Sequence, residues 1–231
     1  MPSRAKPRTR KRNYRRKTTR YRKRNMLSFS KAPVPNRFAT KLRYVSERGL
    51  VVDPALAAPG VYVVSANSLF DPNHTGAGHQ PRGFDQFMTM YDHYTVVGCK
   101  ITVTLSQTND RAYDPSKFGI ALKDAAPLSY SLNDYCEGRN VVSTMMPGKA
   151  ATNVGTTRTL SKTFSARKFL GVSKPLASSI LRGSIVASPD EQAYFHIFNQ
   201  SVFSTNTELV NVWFRVEYLV VFTEPKQPDQ S

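Results

Sequence analysis

Apolar and polar residues alternate along several segments of this chain, and the longest alternation lies near the C-terminus. Apolar residues occupy every second position from Val210 to Phe222, with mainly polar residues between them over the first half. A second alternation covers residues 97–106, where the apolar positions begin with Val97 and Cys99. A period of two residues is typical of a β-strand with one buried face. Both segments are therefore predicted to be strands that line a core.

Shorter segments complete the set of predicted strands. They alternate in the same way or consist of apolar, Thr and Ser residues, and they cover residues 38–44, 60–67, 118–122, 156–164, 185–187 and 193–198. Segments rich in Gly, Pro, Asn and Asp separate the strands and are predicted loops, at residues 71–83, 124–155, 168–181 and 199–208. Short helical turns are predicted at residues 84–91 and 128–136.

About eight strands without alternating helices indicate an all-β sandwich. Long loops on one scaffold favour a jelly roll over a tight meander. The predicted fold class is therefore an all-β, eight-stranded jelly-roll sandwich, preceded by a disordered basic arm. The arm is predicted from the composition of the first residues.

The first 25 residues contain nine Arg and four Lys, no acidic residue and almost no apolar surface. Such a segment cannot offset the conformational entropy that ordering would cost, so we expect it to be disordered in the free chain. Thirteen like charges would repel one another along any regular element. The arm therefore favours binding to nucleic acid over a merely solvated tail.

The candidate nucleic-acid-binding residues are the basic side chains of the arm and two tyrosines whose rings could stack on unpaired bases. They are Arg4, Lys6, Arg8, Arg10, Lys11, Arg12, Tyr14, Arg15, Arg16, Lys17, Arg20, Tyr21, Arg22, Lys23 and Arg24. No zinc-finger spacing, RNP motif or helix-turn-helix pattern surrounds them. The expected contacts are with phosphate, and their strength is expected to depend on salt and little on base sequence.

Basic clusters in the arm also match nuclear-localisation signals, which makes host nuclear import receptors expected partners. The clustered residues are Lys6, Arg8, Arg10, Lys11, Arg12, Arg15, Arg16 and Lys17. The arm has no amphipathic apolar face and is followed by no apolar signal-peptide segment. With no run of about 18 apolar residues in the chain, no membrane insertion is expected.

The charge of the chain divides sharply along its length. Of 33 Lys and Arg residues, 17 precede Glu47, the first acidic residue, and the other 16 match the 16 acidic residues. A body of zero net charge can pack against copies of itself without long-range repulsion, so a homo-oligomer is expected. The predicted organisation is a basic arm at 1–25, a linker at 26–36, a jelly-roll shell domain at 37–226 and a C-terminal tail at 227–231.

The sequence contains only partial matches to catalytic and metal-binding patterns. Tyr14 and Lys17 match the Tyr-x-x-Lys pattern of rolling-circle nucleases, but the four histidines form no His-hydrophobe-His pair to accompany it. His74 and His79 share a predicted loop without a third metal ligand nearby. No Walker A loop occurs. We therefore predict no catalytic residue, no metal site, no cofactor and no enzymatic activity.

The sequence gives specific expectations for four residues of the body. Cys99 is predicted to be a small core residue, and without a secretory signal both Cys99 and Cys136 are expected to be free thiols. His196, inside an apolar run, is predicted to be a hydrogen-bonded core residue. Trp213, on the polar face of the last strand, is expected to pack either on a neighbouring chain or beneath a loop.

Several short motifs of the body resemble those of one protein family. They are GFDQ at 83–86 with Tyr91 and Tyr94, GCKITV at 98–103, SARK at 165–168 and VEYLVVFTEPK at 216–226. They are similar to motifs in the capsid proteins of circovirus-like viruses, the circular single-stranded DNA viruses that encode a replication initiator. The resemblance covers most of residues 37–226, and the basic arm is also of the family type.

The resemblance implies an eight-stranded jelly roll of the viral type and an icosahedral T=1 shell of sixty copies, with the arms pointing inward. It also implies packaging of a single-stranded DNA genome. The protein would then be present in the virion and, during assembly, in the host nucleus. Sixty arms of 13 charges would carry about 780 positive charges, which suits a genome of kilobase scale. The sequence does not identify a host receptor. Two alternatives stay open: an RNA-virus capsid of the same fold, and a non-viral nucleic-acid-binding module with a basic tail.

Overall fold

The structure, a computed structural model, describes residues 34–52, 59–74, 78–107, 112, 114–126, 130–148, 150, 156–201 and 208–227. The chain divides into two units, Met1–Pro33 and Val34–Ser231, and every described residue belongs to the second.

Eight strands make up most of the described residues. In chain order they are β1 (Arg37–Val52), β2 (Gly60–Ser65), β3 (Tyr91–Ser106), β4 (Ser116–Lys123), β5 (Val141–Met146), β6 (Thr157–Ser165), β7 (Tyr194–Ser201) and β8 (Glu208–Pro225). The short helices are α1 (Phe84–Met90), α2 (Leu132–Cys136) and α3 (Ala166–Phe169), followed by 3-10 turns at Pro175–Ala177 and Ser179–Leu181.

The strands form two four-stranded antiparallel sheets. The first sheet has the order β1-β8-β3-β6, and the second has the order β2-β7-β4-β5. Successive strands alternate between the sheets, except that β4 and β5 are neighbours in the second. Crossing from sheet to sheet at nearly every connection is the topology of a jelly roll. The predicted fold class, an eight-stranded jelly-roll sandwich, is confirmed.

The core lies between the two sheets, and β8 shows how the sequence builds it. All seven apolar residues at alternate positions from Val210 to Phe222 are buried, as predicted, whereas Trp213 and Leu219 between them are exposed. The hydroxyl of the buried Tyr218 donates to the backbone carbonyl of Ser65 on β2 at 2.8 Å and so joins the sheets. Burial raises the pKa of Tyr218 well above its ordinary value.

β3 contains a bulge that changes its predicted pattern. The pairing with β8 shifts between Val96 and Gly98. The predicted burial is correct for Cys99 and the alternate apolar positions up to Leu105, but Val97 is only half-buried and Val96 is buried instead. A bulge inserts one extra residue and moves every side chain before it to the opposite face, so the inward placement predicted for Val97 was wrong.

The structure differs from the strand predictions at two places: one strand lies in a predicted loop, and one predicted strand is a turn. β5 lies inside the segment predicted as a loop at 124–155; it is a sheet edge and its residues are mostly half-buried, so its sequence carries little alternation. Residues 185–187 are not a strand, because the N–H of Ser184 bonds to the carbonyl of Ala187 at 2.9 Å and closes a turn. Eight strands were expected and eight occur, but β5 takes the place of the strand predicted at residues 185–187.

The helical turns fall where they were predicted, as α1 and as α2, although residues 128 and 129 lie outside the described part. α2 begins with a capping box: the N–H of Asp134 donates to the side chain of Ser131 at 3.3 Å, and the N–H of Ser131 donates to the Asp134 carboxylate at 2.9 Å. These bonds satisfy helix N–H groups that have no partner within the helix.

Candidate nucleic-acid interface

The fifteen residues predicted to bind nucleic acid, Arg4 to Arg24, lie outside the described residues, as do all eight residues of the predicted nuclear-localisation signal. Their roles therefore stay predictions. The described residues instead define the surface of the sheet that contains β1. β1 is an edge strand of the first sheet, so the chain enters the fold at that sheet.

The outer face of the first sheet, defined as the side facing away from the second sheet, carries polar and charged residues in rows across the strands. One row joins Arg43, Glu217 and Lys100 by direct pairing, and a neighbouring row joins Arg215 to Thr102. Thr and Ser of β3 and β6 fill much of the rest, as in the row of Thr104 and Thr159, whose hydroxyls lie 2.8 Å apart. The face thus presents short polar side chains between long charged ones, together with the exposed apolar residues Val51, Leu209 and Leu219.

Positive charge exceeds negative charge on this outer face. It carries Lys41, Arg43, Lys100 and Arg215 against Glu47 and Glu217. Arg43 Nη2 lies 3.1 Å from Glu217 Oε1, which neutralises one acidic group. An exposed pair of this kind adds little to stability, but it leaves Lys100 and Arg215 as the surplus charge at the centre of the sheet.

Arg215 lies on the central strand β8 and is half-buried. Its Nε is buried and finds no hydrogen-bond partner among the described residues. A guanidinium has five N–H donors, so the exposed part of the Arg215 side chain can still donate to an external acceptor such as a phosphate oxygen.

The outer side of the second sheet is different, because α2 and the segment around it cover part of it. Ala121, Tyr135 and Phe198 form a small separate core there. Tyr135 stacks on Phe198 with ring centroids 4.8 Å apart. This cover makes the first sheet, rather than the second, the one with an extended open polar face among the described residues.

His196 lies beneath this cover and is fully buried. Its Nδ1 lies 3.0 Å from the hydroxyl of Tyr135, and its Nε2 lies 2.9 Å from the backbone carbonyl of Ala125. The prediction of a hydrogen-bonded core histidine is confirmed. Burial lowers the pKa of His196 below its ordinary value, so the ring is neutral at physiological pH.

The two cysteines and the histidines His74 and His79 also have defined places. Cys99 is buried, its thiol donates to the carbonyl of Ala66 at 3.0 Å, and burial raises its pKa well above the ordinary value. Cys99 and Cys136 are both free thiols, as predicted. His74 and His79 are exposed and contact the rings of Tyr194 and Tyr44.

Within the described ranges, no group of three or more His, Cys, Asp or Glu side chains is arranged to hold a metal ion. None of the helices in that same part of the chain combines the length and the apolar character that crossing a membrane requires.

Trp213 is the largest apolar side chain on the outer face, and 41% of its surface is exposed. With this exposure it is not buried beneath any described loop of its own chain, and packing on a neighbouring chain stays a prediction for this residue. The sequence did single out Trp213, but it did not reveal the basic residues around it. Their alignment depends on the register between β1, β8 and β3, which lie far apart along the chain.

The chain was compared with known proteins. No family model matches it, and no curated protein matches it. Among solved structures, it is similar to a chain of tobacco necrosis virus with a TM-score of 0.47 and 13% identity, covering 84% of this chain and 86% of that one. It is also similar to a chain of Mud crab tombus-like virus, with a TM-score of 0.48 and 11% identity, covering 87% and 96%. A third similar chain belongs to a semi-empty VLP of the giant freshwater prawn Macrobrachium rosenbergii nodavirus, with a TM-score of 0.47, 9% identity and coverage of 99% and 97%.

Proposed function

We propose that this chain is a viral capsid protein that assembles into a small icosahedral T=1 shell of sixty copies and packages single-stranded DNA through its basic arm. The role is structural and involves no catalysis. The partners are other copies of the chain, the genome and, before assembly, host nuclear import receptors.

The separation of charge from fold carries this proposal. Thirteen basic residues and no acidic ones occupy positions 1–25, whereas the segment after Ser46 has as many acidic as basic residues. That second segment supplies nearly all of a jelly roll. A polycation neutralises nucleic acid, and a body without net charge tolerates the close approach of many copies. A shell that encloses a genome needs both properties in one chain.

The surplus positive charge on the outer face of the first sheet supports the same arrangement. The chain enters β1 at the edge of that sheet, and Lys41 and Arg43 follow on its outer face. We propose that this face lines the interior of the shell, where the arm and the sheet meet the same polyanion. The opposite orientation would direct Lys100 and Arg215 away from the nucleic acid.

Single-stranded DNA is proposed as the cargo because the motifs at 83–86, 98–103, 165–168 and 216–226 resemble circovirus-like capsid proteins. The contacts with phosphate would serve RNA equally well, so the nature of the genome is decided by experiment.

Electron microscopy of the purified full-length protein tests the shell. Uniform particles of roughly 20 nm, the scale that the circovirus-like resemblance implies, support the proposal. Nucleic acid extracted from the particles is then treated with DNase or RNase: loss to DNase alone supports the DNA cargo, and loss to RNase alone replaces it with an RNA genome. If only monomers that bind DNA are found across salt conditions, the chain is a basic-tailed binding module instead.

Nuclear entry is tested in cells with the full chain. A variant in which Lys6, Arg8, Arg10, Lys11, Arg12, Arg15, Arg16 and Lys17 are replaced by Gln should remain in the cytoplasm, whereas the wild type should concentrate in the nucleus. An unchanged nuclear fraction for this variant would remove import receptors from the proposed partners.

A further inference from the structure

A depression of about 300 Å³ lies on the outer face of the first sheet, beside Trp213. Residues that contribute to its lining are Glu47, Gly49, Thr104, Ser106, Asn211 and Trp213. Its shape follows from the register. Glu47 and Thr104 flank Trp213 on either side, and the next row holds Gly49, Asn211 and Ser106. The short side chains of these residues leave a depression in the surface, and the indole of Trp213 forms one side of it.

Trp213 itself has the features of a stacking surface. It is partly exposed on a face that carries Thr, Ser and charged side chains together with the exposed Val51, Leu209 and Leu219. Within the described part of the chain, no other ring contacts the indole. A fixed, flat aromatic surface of this kind suits an unpaired base, because every base has a π-face that can stack on it.

The positive charges near Trp213 suit the phosphates that flank a stacked base. Arg215 follows two residues along β8, so it lies about 7 Å further along the strand on the same face. Lys100 lies beyond Arg215 on the neighbouring strand, opposite Glu217, whose charge Arg43 already balances. A chain of phosphates that passes Trp213 toward β3 would therefore meet two cations in succession.

Glu47 is the acidic group at the depression, and it lies directly across from Trp213. A carboxylate repels phosphate, but it accepts a hydrogen bond from an exocyclic amino group of a base. Adenine, cytosine and guanine carry such a group, whereas thymine and uracil do not. Glu47 thus favours a base at this position over a phosphate, and amino-bearing bases over the other two.

We propose that Trp213 and the depression beside it form a nucleotide-binding site on the folded body. A base of a single-stranded nucleic acid stacks on the indole, Glu47 accepts a hydrogen bond from its amino group, and Arg215 and Lys100 bind the flanking phosphates. The site rests on the proposed function for its partner, and it adds contacts that do not depend on the arm.

The charge of the outer face argues against other occupants. A second copy placed face to face would bring Lys41, Lys100 and Arg215 against the same three cations. The arm of the chain is itself polycationic, with 13 basic residues. A single-stranded polyanion with exposed bases is complementary both to the surplus positive charge and to the indole.

Trp213 is the sole tryptophan of the chain, so its fluorescence reports on this site alone. Full-length protein freed of nucleic acid is titrated with short oligo(dC), oligo(dT) and an abasic oligonucleotide of equal length, while labelled versions report total binding. Salt of about 0.5 M weakens the contribution of the arm. We expect strong quenching by oligo(dC), less by oligo(dT) and little by the abasic chain, which has the same phosphates and no bases.

Variants test the same contacts independently. Trp213→Ala should weaken oligo(dC) binding at this salt by about 5- to 150-fold, the range for loss of one stacked base, and Trp213→Phe should recover part of it. Glu47→Ala should bring the affinities for oligo(dC) and oligo(dT) closer together. The matched control is Leu219→Ala, which removes an exposed apolar side chain of the same strand and face and should leave binding unchanged.

The outcomes separate the site from the proposed function. Binding of all three oligonucleotides with equal quenching, or with none, would overturn the site and leave the capsid proposal standing. Absence of binding by all three oligonucleotides at this salt would also overturn the site, whereas absence of binding at low salt, where the arm contributes fully, would count against packaging. A change of tryptophan emission with protein concentration alone would show that a second copy covers Trp213 and would overturn the site. The wild-type titration needs no variant, so these outcomes hold even if Trp213→Ala fails to fold.

Discussion

Tyr135 donates its phenolic hydrogen to Nδ1 of His196, with 3.0 Å between the two atoms. The direction follows from the second contact of the ring. A backbone carbonyl only accepts, so the Nε2 of His196 carries a proton and donates it to Ala125 at 2.9 Å. In the neutral ring Nδ1 is then the acceptor. This bond ties α2 to β7 and holds the cover on the outer side of the second sheet.

The first prediction concerns the pH dependence that this buried ring confers. Lys123, whose Nζ lies 4.5 Å from the ring centroid of Tyr130, adds positive charge near the histidine. Burial first, and Lys123 in addition, lower the pKa of His196 in the folded chain. As the pH falls, His196 therefore binds a proton at a higher pH in the unfolded chain than in the folded chain. Above about pH 6.5, the ordinary histidine pKa, the neutral His196 contributes its full stability to the fold. As the pH falls from 6.5 to the lowered pKa of the folded chain, the free energy of unfolding should decrease.

Urea unfolding of the unassembled protein between pH 7.5 and pH 5 measures this slope. His196→Gln is the matched variant, because it removes the titration and keeps every other ionisable group. The wild type should lose more stability over this range than the variant does. Equal slopes for the two proteins would mean that His196 does not carry the effect.

The second prediction isolates the hydroxyl of Tyr135. Tyr135→Phe keeps the ring that stacks on Phe198 and removes the donor, which leaves Nδ1 of His196 buried without a partner. An unsatisfied buried acceptor costs about 1–3 kcal/mol, so the free energy of unfolding should fall by that amount. Tyr130→Phe is the control. Its ring packs edge-on against Tyr135, but its side chain is only half-buried, and the change in stability should be within about 0.5 kcal/mol.

The third prediction concerns Gly119, which pairs with Phe198 between β4 and β7. A Cβ at this position would lie 2.3 Å from Phe198 Cζ and 2.9 Å from the carbonyl oxygen of Val142. Both distances are below van der Waals contact, so Gly119→Ala should destabilise the fold by about 1–3 kcal/mol through overpacking.

A double-mutant cycle locates the cause of that loss. Phe198→Leu removes the far end of the ring, so Gly119→Ala should cost less in the Phe198→Leu background than in the wild type. Part of the cost should remain, because the carbonyl of Val142 belongs to the backbone and cannot move away as a side chain can. If the cost is the same in both backgrounds, Phe198 is not the obstacle.

The sequence predicted the parts of this fold that depend on local pattern. The alternation from Val210 to Phe222 and the apolar run around His196 led to correct strands and correct buried faces, because a period of two residues is a property of neighbouring positions. Features that depend on pairing between distant strands were not predicted. The bulge that turns Val97 outward is set by the register with β8, and β5 is recognisable only from its pairing with β4.

The same distinction applies to the candidate site. Trp213 stands out in the sequence as an aromatic residue on a polar face. Its neighbours Glu47, Thr104 and Gly49 are separated from it by more than a hundred residues, and only the order β1-β8-β3 brings them together. The basic residues of the arm are evident from composition alone, since a run of like charge needs no register.

The fourth prediction uses the different positions of the two thiols. Cys99 is buried with a raised pKa, whereas Cys136 is half-buried in α2. Because the thiolate is the reactive form, a thiol reagent at pH 8 should modify at most one cysteine of the folded protein and both in denaturant. Cys136→Ser should abolish the fast reaction and leave only the slow one. Fast labelling of Cys99 in this variant would contradict its placement in the core.

The last prediction tests the division of the chain into a charged arm and a neutral body. Replacing the 13 Arg and Lys of residues 1–25 by Gln keeps the length of the chain and removes the charge that would neutralise a genome. Each phosphate contact adds to the salt dependence of binding, so this variant should lose nearly all retention of nucleic acid and most of the salt dependence. The core between the two sheets is built from described residues between Leu42 and Phe222, so the free energy of unfolding should stay within about 0.5 kcal/mol of the wild type.

Deletion of residues 1–25 is the companion variant, because it removes the arm together with its length. Both variants should give the circular dichroism of a folded β-protein, and particles that form from either should absorb less at 260 nm relative to 280 nm than wild-type particles. A difference between the two variants would assign a role to the length of the arm rather than to its charge. An insoluble or unfolded product from both would show that the body depends on the arm, because the jelly roll alone would then not account for the stability of the fold.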